Sequence, residues 1–301
     1  MHSQRSLALH QKVTLLNIFI SSKMWYVASN LNPTTAHVAK LTATMRTYLF
    51  RGECATVPML QLARSKKDGG LNLQLPALKC KALLISRHLQ ELDYLPFYNS
   101  CLSQAIPSRA NSISDFSCLK ILLENYPILP FQTRQHPASY LINHYYIERT
   151  DRAKIETANP EANWPRIWRN IQDSGLTPTQ RSCLYMWVNQ KVPHRRLLHN
   201  MRRVDDEHCA QCTAVVETIQ HKYFDCPWLR DAFEILHRKL STLTGRPIQR
   251  EELLRPSLER IAKTYRTQFL KILLCYIDFI KECNGSVDLN TLNFTFQIML
   301  Q

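Results

Sequence analysis

Apolar residues recur three and four positions apart along much of this chain, which is the spacing of one face of an α-helix. The longest run of this kind begins at Leu258 and ends at Ile280, and a second extends from Val38 to Leu49. With 6 glycines in 301 residues, few backbone positions favour an interruption of a helix. The pattern therefore predicts a mainly α fold.

Proline and glycine divide the N-terminal part of the chain into predicted elements. We predict a helix over residues 6–31 and an extended segment over Val57–Ala63. The paired glycines at the end of Lys66–Gly70 predict a turn, because glycine adopts positive φ without a steric cost. Pro76 is expected to begin a further helix that ends near residue 93.

Further along the chain the helical pattern becomes regular again. We predict one helix over residues 163–173 and others that begin at Pro178, Pro193 and Pro227, since proline is favoured in a first helical turn. Six prolines lie within residues 96–160 and separate short apolar pieces. This stretch is predicted to be irregular.

Four potential metal ligands lie close together in the sequence. Cys209 and Cys212 are separated by two residues, and His221 and Cys226 follow on the next predicted turn. Three thiolates and one imidazole suit Zn²⁺ in tetrahedral geometry. Because the protein supplies all four ligands, we expect a structural zinc site with no position left for a catalytic water.

Other assignments of these residues are open. His194, His199, His208 and His237 could each replace His221, although His208 is adjacent to a cysteine ligand and His237 lies further along a predicted helix. A redox role for the cysteine pair is a weaker alternative, because no strand–helix pattern of the thioredoxin type surrounds it. Buried thiols without an ion are the remaining alternative.

The ten cysteines make the cellular compartment relevant to the metal hypothesis. The first apolar run, Val13–Ile20, is short and lacks the cleavage site of a secretion signal. We therefore expect an intracellular protein of the nucleus or cytoplasm, where spaced cysteines bind metal more often than each other. We expect no membrane span, because Phe269–Ile280 is too short and contains Lys271 and Asp278.

The net charge of +14 suggests an anionic partner, of which nucleic acid is the commonest. Trp187 precedes the densest group of cations and offers a face for stacking on unpaired bases. If one helix continued through this group, Arg195 and Arg202 would share a side; a solvated helix face is the alternative. We name this group the basic segment, and its residues are Lys191, Arg195, Arg196, Arg202 and Arg203.

Several motifs resemble one known family. The first set is Lys191-Val192-Pro193-His194-Arg195-Arg196-Leu197, Cys209-Ala210-Gln211-Cys212, Glu217-Thr218-Ile219-Gln220-His221 and Cys226-Pro227. It resembles the zinc-binding region that follows the reverse transcriptase of non-LTR retrotransposons. Motifs nearer the N-terminus resemble the helical thumb of the same family, and they lie at Lys23–Ala28, Leu49–Gly52, Lys67–Leu73 and Lys79–Leu84. The family usually has tryptophan where Phe50 or Arg51 stands here.

The resemblance implies a helical thumb-like module followed by a helical zinc-binding (CCHC) module. The corresponding regions are a thumb-like region at 1–95, a linker or insert at 96–160, the zinc-binding region at 161–245 and C-terminal helices at 246–301. It also implies an RNA or DNA partner, and an upstream polymerase region if the chain is a fragment. The paired aspartates of a polymerase palm are missing, since Asp205-Asp206 follows no apolar strand, so we expect no polymerase activity from this chain alone.

Two other functions are open at this point. In a protein–protein adaptor, the zinc loop and the last helices would form a docking face and the charge would be incidental. In a decayed remnant of a retrotransposon, the fold would survive without a selected function.

Overall fold

The computed structural model describes residues 7–28, 33–50, 57–80, 82–83, 153–213, 215–283 and 288–298. The α-helices in this part of the chain are α1 Leu9–Leu15, α2 Ser21–Ala28, α3 Thr35–Phe50, α4 Met59–Ala63, α5 Lys154–Ala158, α6 Trp164–Ile171, α7 Pro178–Val188, α8 Arg195–Asn200, α9 Arg230–Thr244, α10 Arg250–Leu254, α11 Lys263–Glu282 and α12 Leu289–Ile298. Residues 76–80 and 82–83 are also helical. Short π-helical and 3₁₀ turns occupy Leu16–Ile20, Lys66–Asp68, His221–Asp225 and Pro227–Leu229. The prediction of a mainly α fold is confirmed.

One predicted element is wrong. The extended segment predicted over Val57–Ala63 contains helix α4, which follows Pro58 with its φ of −58° and buries Leu62. A short apolar run is compatible with a strand or with a buried helix, and only its packing partners decide between them. The stretch predicted to be irregular lies outside the described residues as far as residue 152, and its last residues contain α5.

The long C-terminal helix is shorter than its apolar pattern predicts. Helix α11 begins at Lys263, although the run of apolar residues begins at Leu258. Leu258 is buried, but its φ of +56° is incompatible with a right-handed helix. Tyr265, which the pattern places on the apolar face, is 45% exposed. Apolar spacing thus continues through a loop that packs on the same core.

Helix α7 connects the N-terminal helices with the C-terminal ones, because it packs against both α1 and α11. Its buried Tyr185 hydroxyl donates to the Gly69 carbonyl at 3.1 Å, and its buried Trp187 Nε1–H donates to the Leu253 carbonyl at 2.8 Å. These bonds satisfy the polar ends of large aromatic side chains that would otherwise be costly to bury. One continuous hydrophobic core results, with members from Val13 to Phe296.

The predicted glycine turn is present, and both glycines are required by close contacts. Gly69 has a φ of +77°, and a Cβ there would lie 2.5 Å from the Trp168 ring. A Cβ on Gly70 would lie 1.9 Å from the Arg64 carbonyl oxygen, which no real side chain tolerates. The turn therefore places the N-terminal chain directly on helix α6.

A buried carboxylate reinforces this junction. Glu156 on α5 lies 3.4 Å from an Arg64 guanidinium nitrogen and accepts a hydrogen bond from Trp168 Nε1–H at 2.7 Å. It also accepts the backbone N–H of Ala153 at 3.2 Å. These three partners compensate the buried charge of Glu156. Removal of one of them would leave a buried charge with too few partners, which is destabilising.

Candidate metal centre

Cys209 and Cys212 lie in a tight hairpin loop. An isolated antiparallel bridge joins His208 to Val216 and sets the two arms of the loop side by side. The Thr213 N–H donates to the Cys209 carbonyl at 2.9 Å, and Thr213 itself has a φ of +46°. This closed turn brings two thiols that are three positions apart to the same side of the backbone.

The other two ligands lie at the ends of the π-helical turn His221–Asp225. The Thr218 hydroxyl accepts the His221 N–H at 3.1 Å, so Thr218 caps the start of this turn. The Cys226 N–H donates to the His221 carbonyl at 2.8 Å. This hydrogen bond, between residues five positions apart, places the imidazole and the third thiol one π-helical turn apart on the same side.

The structure brings the four predicted ligand atoms together. All of them lie within 4.8 Å of one another, so one metal ion can contact all four. The Sγ atoms of Cys209 and Cys226 are 3.9 Å apart, and Cys212 Sγ lies 3.1 Å from His221 Nε2. We name these four residues the CCHC cluster. Three members are buried and Cys212 is partly exposed.

The thiols of the CCHC cluster are unfavourable as anions unless a cation is present. Burial raises the pKa of Cys226 and, to a smaller extent, that of Cys212. The neighbouring Cys209 further raises both pKa values, since thiolates repel each other. A divalent ion reverses this balance because it stabilises every coordinating thiolate directly.

Three of the four competing histidines, His194, His208 and His237, have polar contacts elsewhere. His208 Nδ1 lies 2.6 Å from an Asp206 carboxylate oxygen, and His237 Nε2 lies 3.1 Å from the Ile248 carbonyl. His194 Nδ1 lies 2.9 Å from a backbone carbonyl. Within the described residues, the metal-ligand group contains His221 and none of these other imidazoles.

The CCHC cluster rests on the aromatic core. Tyr223, in the π-helical turn, packs edge-on against Trp187 with ring centroids 4.9 Å apart. The buried Tyr276 hydroxyl of α11 donates to the Tyr223 carbonyl at 2.5 Å. The turn that carries two ligands is therefore held by α7 and α11.

Glu217 joins helix α8 to the segment 208–226, which carries the CCHC cluster and which we name the metal loop. Its carboxylate accepts the Arg195 N–H at 2.8 Å, and its backbone carbonyl accepts the Arg196 N–H at 3.2 Å. These donors belong to the first turn of α8, where no partner exists within the helix and negative charge is favoured. Glu217 is buried. Thr218 follows it directly, so the residue that caps α8 and the residue that caps the π-helical turn are neighbours in sequence.

The basic segment does not follow one continuous helix, so the prediction that Arg195 and Arg202 share a helix side is wrong. Helix α8 ends at Asn200, and Arg202 has a φ of +55°. The Arg202 N–H donates to the His199 carbonyl and the next N–H to the Leu198 carbonyl. This is a Schellman ending, whose left-handed position is usually occupied by glycine.

The members of the basic segment have different environments. Arg196, Arg202 and Arg203 are exposed. Arg195 is partly buried, and its guanidinium donates to the Asp206 carbonyl at 3.3 Å. Lys191 is half-buried, and its pKa is lowered by burial and by the nearby Lys154.

Two lysines missed by the sequence reasoning join this surface. Lys154 lies beside Lys191, and Lys222 donates to the Pro193 carbonyl at 3.2 Å. Burial lowers the pKa of His194, and Lys222 and Lys191 lower it further. These lysines come from separate elements, so their proximity has no signal in the local sequence.

The stacking role predicted for Trp187 is wrong, because its side chain is fully buried. The exposed tryptophan near the metal centre is Trp228, which is 57% exposed and lies two residues after Cys226. Trp228 belongs to the 3₁₀ turn that connects the CCHC cluster to α9. Its exposure distinguishes it from the tryptophans of α6 and α7, which are core residues.

Among the described helices, none combines the length and the apolar character that a membrane crossing requires. Comparison of the chain with known protein families found no matching family model, and no curated protein matched it. The geometry and the chemistry of the site are therefore the basis for its interpretation.

Proposed function

We propose that the CCHC cluster binds a structural Zn²⁺ ion. Tetrahedral zinc with bonds of about 2.3 Å to sulfur and about 2.0 Å to nitrogen places ligand atoms about 3.5–3.8 Å apart. The separation of 3.9 Å between the Cys209 and Cys226 sulfur atoms and that of 3.1 Å between Cys212 Sγ and His221 Nε2 lie on either side of this range. Three soft thiolates favour zinc over the hard cations Mg²⁺ and Ca²⁺. With four protein ligands, the ion stabilises the fold and activates no water.

We further propose that the surface beside the zinc centre binds nucleic acid. The observation that carries this proposal is the pair of hydrogen bonds that Glu217 accepts from the first turn of α8, which fixes the arginine-bearing helix to the metal loop. Exposed Arg196, Arg202 and Arg203 then present three guanidinium groups from a rigid support. Guanidinium groups bind phosphate oxygens through paired hydrogen bonds.

Trp228 supports a single-stranded ligand over a fully paired one. An exposed indole two residues after a member of the CCHC cluster offers a face on which an unpaired base stacks. Such stacking tolerates any base, because every base has a π-face. Backbone contacts by arginine and stacking by tryptophan give affinity without strong sequence preference.

In line with the family resemblance, the chain is proposed to be the non-catalytic C-terminal portion of a non-LTR retrotransposon reverse transcriptase. Asp205 and Asp206 support the lack of catalysis by this chain, because both are exposed in a loop where Asp206 contacts His208 and Arg195. A two-metal polymerase centre instead requires carboxylates that converge on bound ions. The chain would bind the RNA template or the target DNA while an upstream polymerase region catalyses DNA synthesis.

Salt-dependent binding tests the nucleic-acid proposal. We expect the triple variant Arg196→Gln/Arg202→Gln/Arg203→Gln to reduce the slope of log K against log salt for single-stranded RNA by about 2, because each lost phosphate contact removes about 0.7. The matched control is Arg169→Gln/Arg238→Gln/Arg260→Gln, which removes the same charge from exposed positions outside the basic segment and away from Trp228 in the sequence. This control should keep most of the slope.

Equal slopes for the two triple variants would contradict a localised binding surface. Absence of measurable RNA and DNA binding at physiological salt would instead favour the adaptor function. The family proposal has a separate test, which is the genomic sequence immediately upstream of this coding region. An open frame that encodes paired aspartates after an apolar strand would support it, and an unrelated upstream frame would contradict it.

A further inference from the structure

A second site lies at the junction of α1, the glycine turn and α7, far from the CCHC cluster in the sequence. A cavity of about 380 Å³ opens there, and its polar lining includes His10, Lys66, Gln172 and Arg181. Leu15 and Leu71 belong to its apolar lining. The volume is within the range of small-molecule sites and exceeds what one inorganic anion fills. We name it the His10 cavity.

The hydrogen bonds of Ser182 determine the tautomer of His10. The buried Ser182 Oγ accepts the backbone N–H of His10 at 3.2 Å and lies 2.9 Å from His10 Nδ1. No third hydrogen bond of this hydroxyl is found among the described residues, so its own hydrogen is satisfied only by donation to Nδ1. The imidazole proton is therefore on Nε2.

The Nε2–H of His10 is a donor in need of an acceptor. Nε2 is buried, and no atom of the described residues accepts a hydrogen bond from it. A buried unsatisfied donor costs free energy that a bound acceptor recovers. His10 lines the cavity, so an acceptor oxygen bound beside its ring would satisfy this donor.

Two cations accompany this donor. Burial, together with the nearby Lys66 and Arg181, lowers the pKa of His10 to about 4. His10 is thus neutral at pH 7 and retains Nδ1 as an acceptor for Ser182. Arg181 Nε–H donates to the Asp173 carbonyl at 3.1 Å, which orients its guanidinium. Among the described residues that line the cavity, none has a carboxylate, so the net charge of this lining is positive.

We propose that the His10 cavity binds an organic phosphate of nucleotide size, with the phosphate near His10 Nε2, Lys66 and Arg181 and the organic part toward Leu15 and Leu71. A phosphate group has several strong acceptor oxygens, which match one neutral N–H donor and two cations. The amide of Gln172 offers both a donor and an acceptor to the organic part. The His10 cavity shares no residue with the CCHC cluster or the basic segment. An experiment that disproves binding at one of these sites therefore leaves the proposal for the other unaffected.

Histidine-selective ¹⁵N NMR of the full zinc-loaded chain tests this site, with His10→Gln used to assign the His10 signals. Free protein should show the Nε2–H tautomer. Addition of AMP should shift the His10 signals, inorganic phosphate should bind more weakly, and adenosine should cause no saturable shift. Lys66→Gln should weaken AMP binding about tenfold, because it removes a charged hydrogen-bond donor.

Lys67→Gln is the matched control, because Lys67 is exposed in the same 3₁₀ turn but does not line the cavity. It should leave AMP affinity unchanged. An Nδ1–H tautomer, unshifted His10 signals at millimolar AMP, equal affinities for AMP and inorganic phosphate, or equal losses in the two lysine variants would each overturn the proposal.

The phosphate has two possible sources, a free nucleotide or the end of a nucleic-acid strand. A hexanucleotide with a 5′-phosphate, compared with the same strand without it, separates them in the Arg196→Gln/Arg202→Gln/Arg203→Gln background. Tighter binding of the phosphorylated strand than of AMP would assign the site to a strand end. Tighter binding of AMP would assign it to a free nucleotide.

Discussion

Arg202 occupies a backbone conformation that usually selects glycine. Its φ of +55° is the left-handed position after α8, where a Cβ atom crowds the following carbonyl. The arginine side chain at this position is exposed, and it is followed by Arg203, another member of the basic segment. The residue therefore combines a local conformational cost with a candidate role in phosphate binding.

Substitution of Arg202 by glycine or alanine separates these two effects. We expect Arg202→Gly to be more stable than Arg202→Ala by about 1 kcal/mol, since alanine retains the left-handed strain. Both variants should reduce the salt slope of RNA binding by about 0.7, because both remove one phosphate contact. Urea unfolding and RNA titrations measure the two quantities. Equal stabilities of the two variants would show that φ carries no strain here.

His10 should make stability depend on pH. Burial lowers its pKa from 6.5 to about 4 in the folded chain, so the unfolded chain binds more protons between these values. Its contribution is fully present above pH 6.5 and is lost as the pH falls toward 4, to a total of up to ~3 kcal/mol. The free energy of unfolding of wild type minus that of His10→Gln should fall with decreasing pH in this window. The subtraction removes the zinc contribution, and a difference that stays flat with pH would contradict the burial of neutral His10.

At the scale of elements, α8 depends on a residue outside its own sequence. Glu217 supplies both a charge and two acceptors to its first turn. Such an arrangement stabilises a short helix that is too small to persist alone. The same residue precedes Thr218, which caps the π-helical turn, so helix α8 and the metal loop should gain or lose order together.

We expect Glu217→Gln to lower the free energy of unfolding by about 0.5–1 kcal/mol, because the amide keeps an acceptor but loses the charge at the helix start. Glu217→Ala removes the side-chain acceptor as well and should cost about 2 kcal/mol. Thermal melts and RNA affinity should change in the same order. Asp205→Asn, at an exposed position of the following loop, is the control and should melt like wild type. If Glu217→Ala bound RNA as tightly as wild type, the coupling of α8 to the metal loop would have no bearing on binding.

Helical elements were predictable where amphipathic spacing and proline caps agree. Helix α7 begins at Pro178, as its sequence predicts, and it buries Leu184. Helix α4 was mispredicted because five apolar-rich residues are too few to display a helical period. The start of α11 was misplaced because Leu258 joins the core from a loop, and burial alone imposes apolar character there.

At the scale of the whole molecule, zinc should determine whether the metal loop folds. The Cys226→Ser variant should lose stoichiometric zinc and melt about 10 °C lower, since one coordinated ion contributes several kcal/mol to a chain of this size. Cys283→Ser, at the end of α11 and outside the CCHC cluster, should retain both zinc and melting temperature. Elemental analysis and calorimetry provide the readouts. Undiminished zinc content in Cys226→Ser would remove this cysteine from the ligand set.

The sequence by itself determined the mainly α class, the main helices around the CCHC cluster and the four residues of that cluster. These follow from local spacing, because helical periodicity and a two-residue cysteine spacing act over a few turns. The sequence also indicated the basic segment, although its continuation as one helix past Asn200 was wrong.

Only the tertiary structure decided how distant residues meet. It brought Ser182 to His10, Glu217 to the first turn of α8, and Lys154 to Lys191. It also buried Trp187 in the core while leaving Trp228 exposed. Each of these outcomes depends on packing between elements that are remote along the chain, and such contacts have no period or spacing in the local sequence.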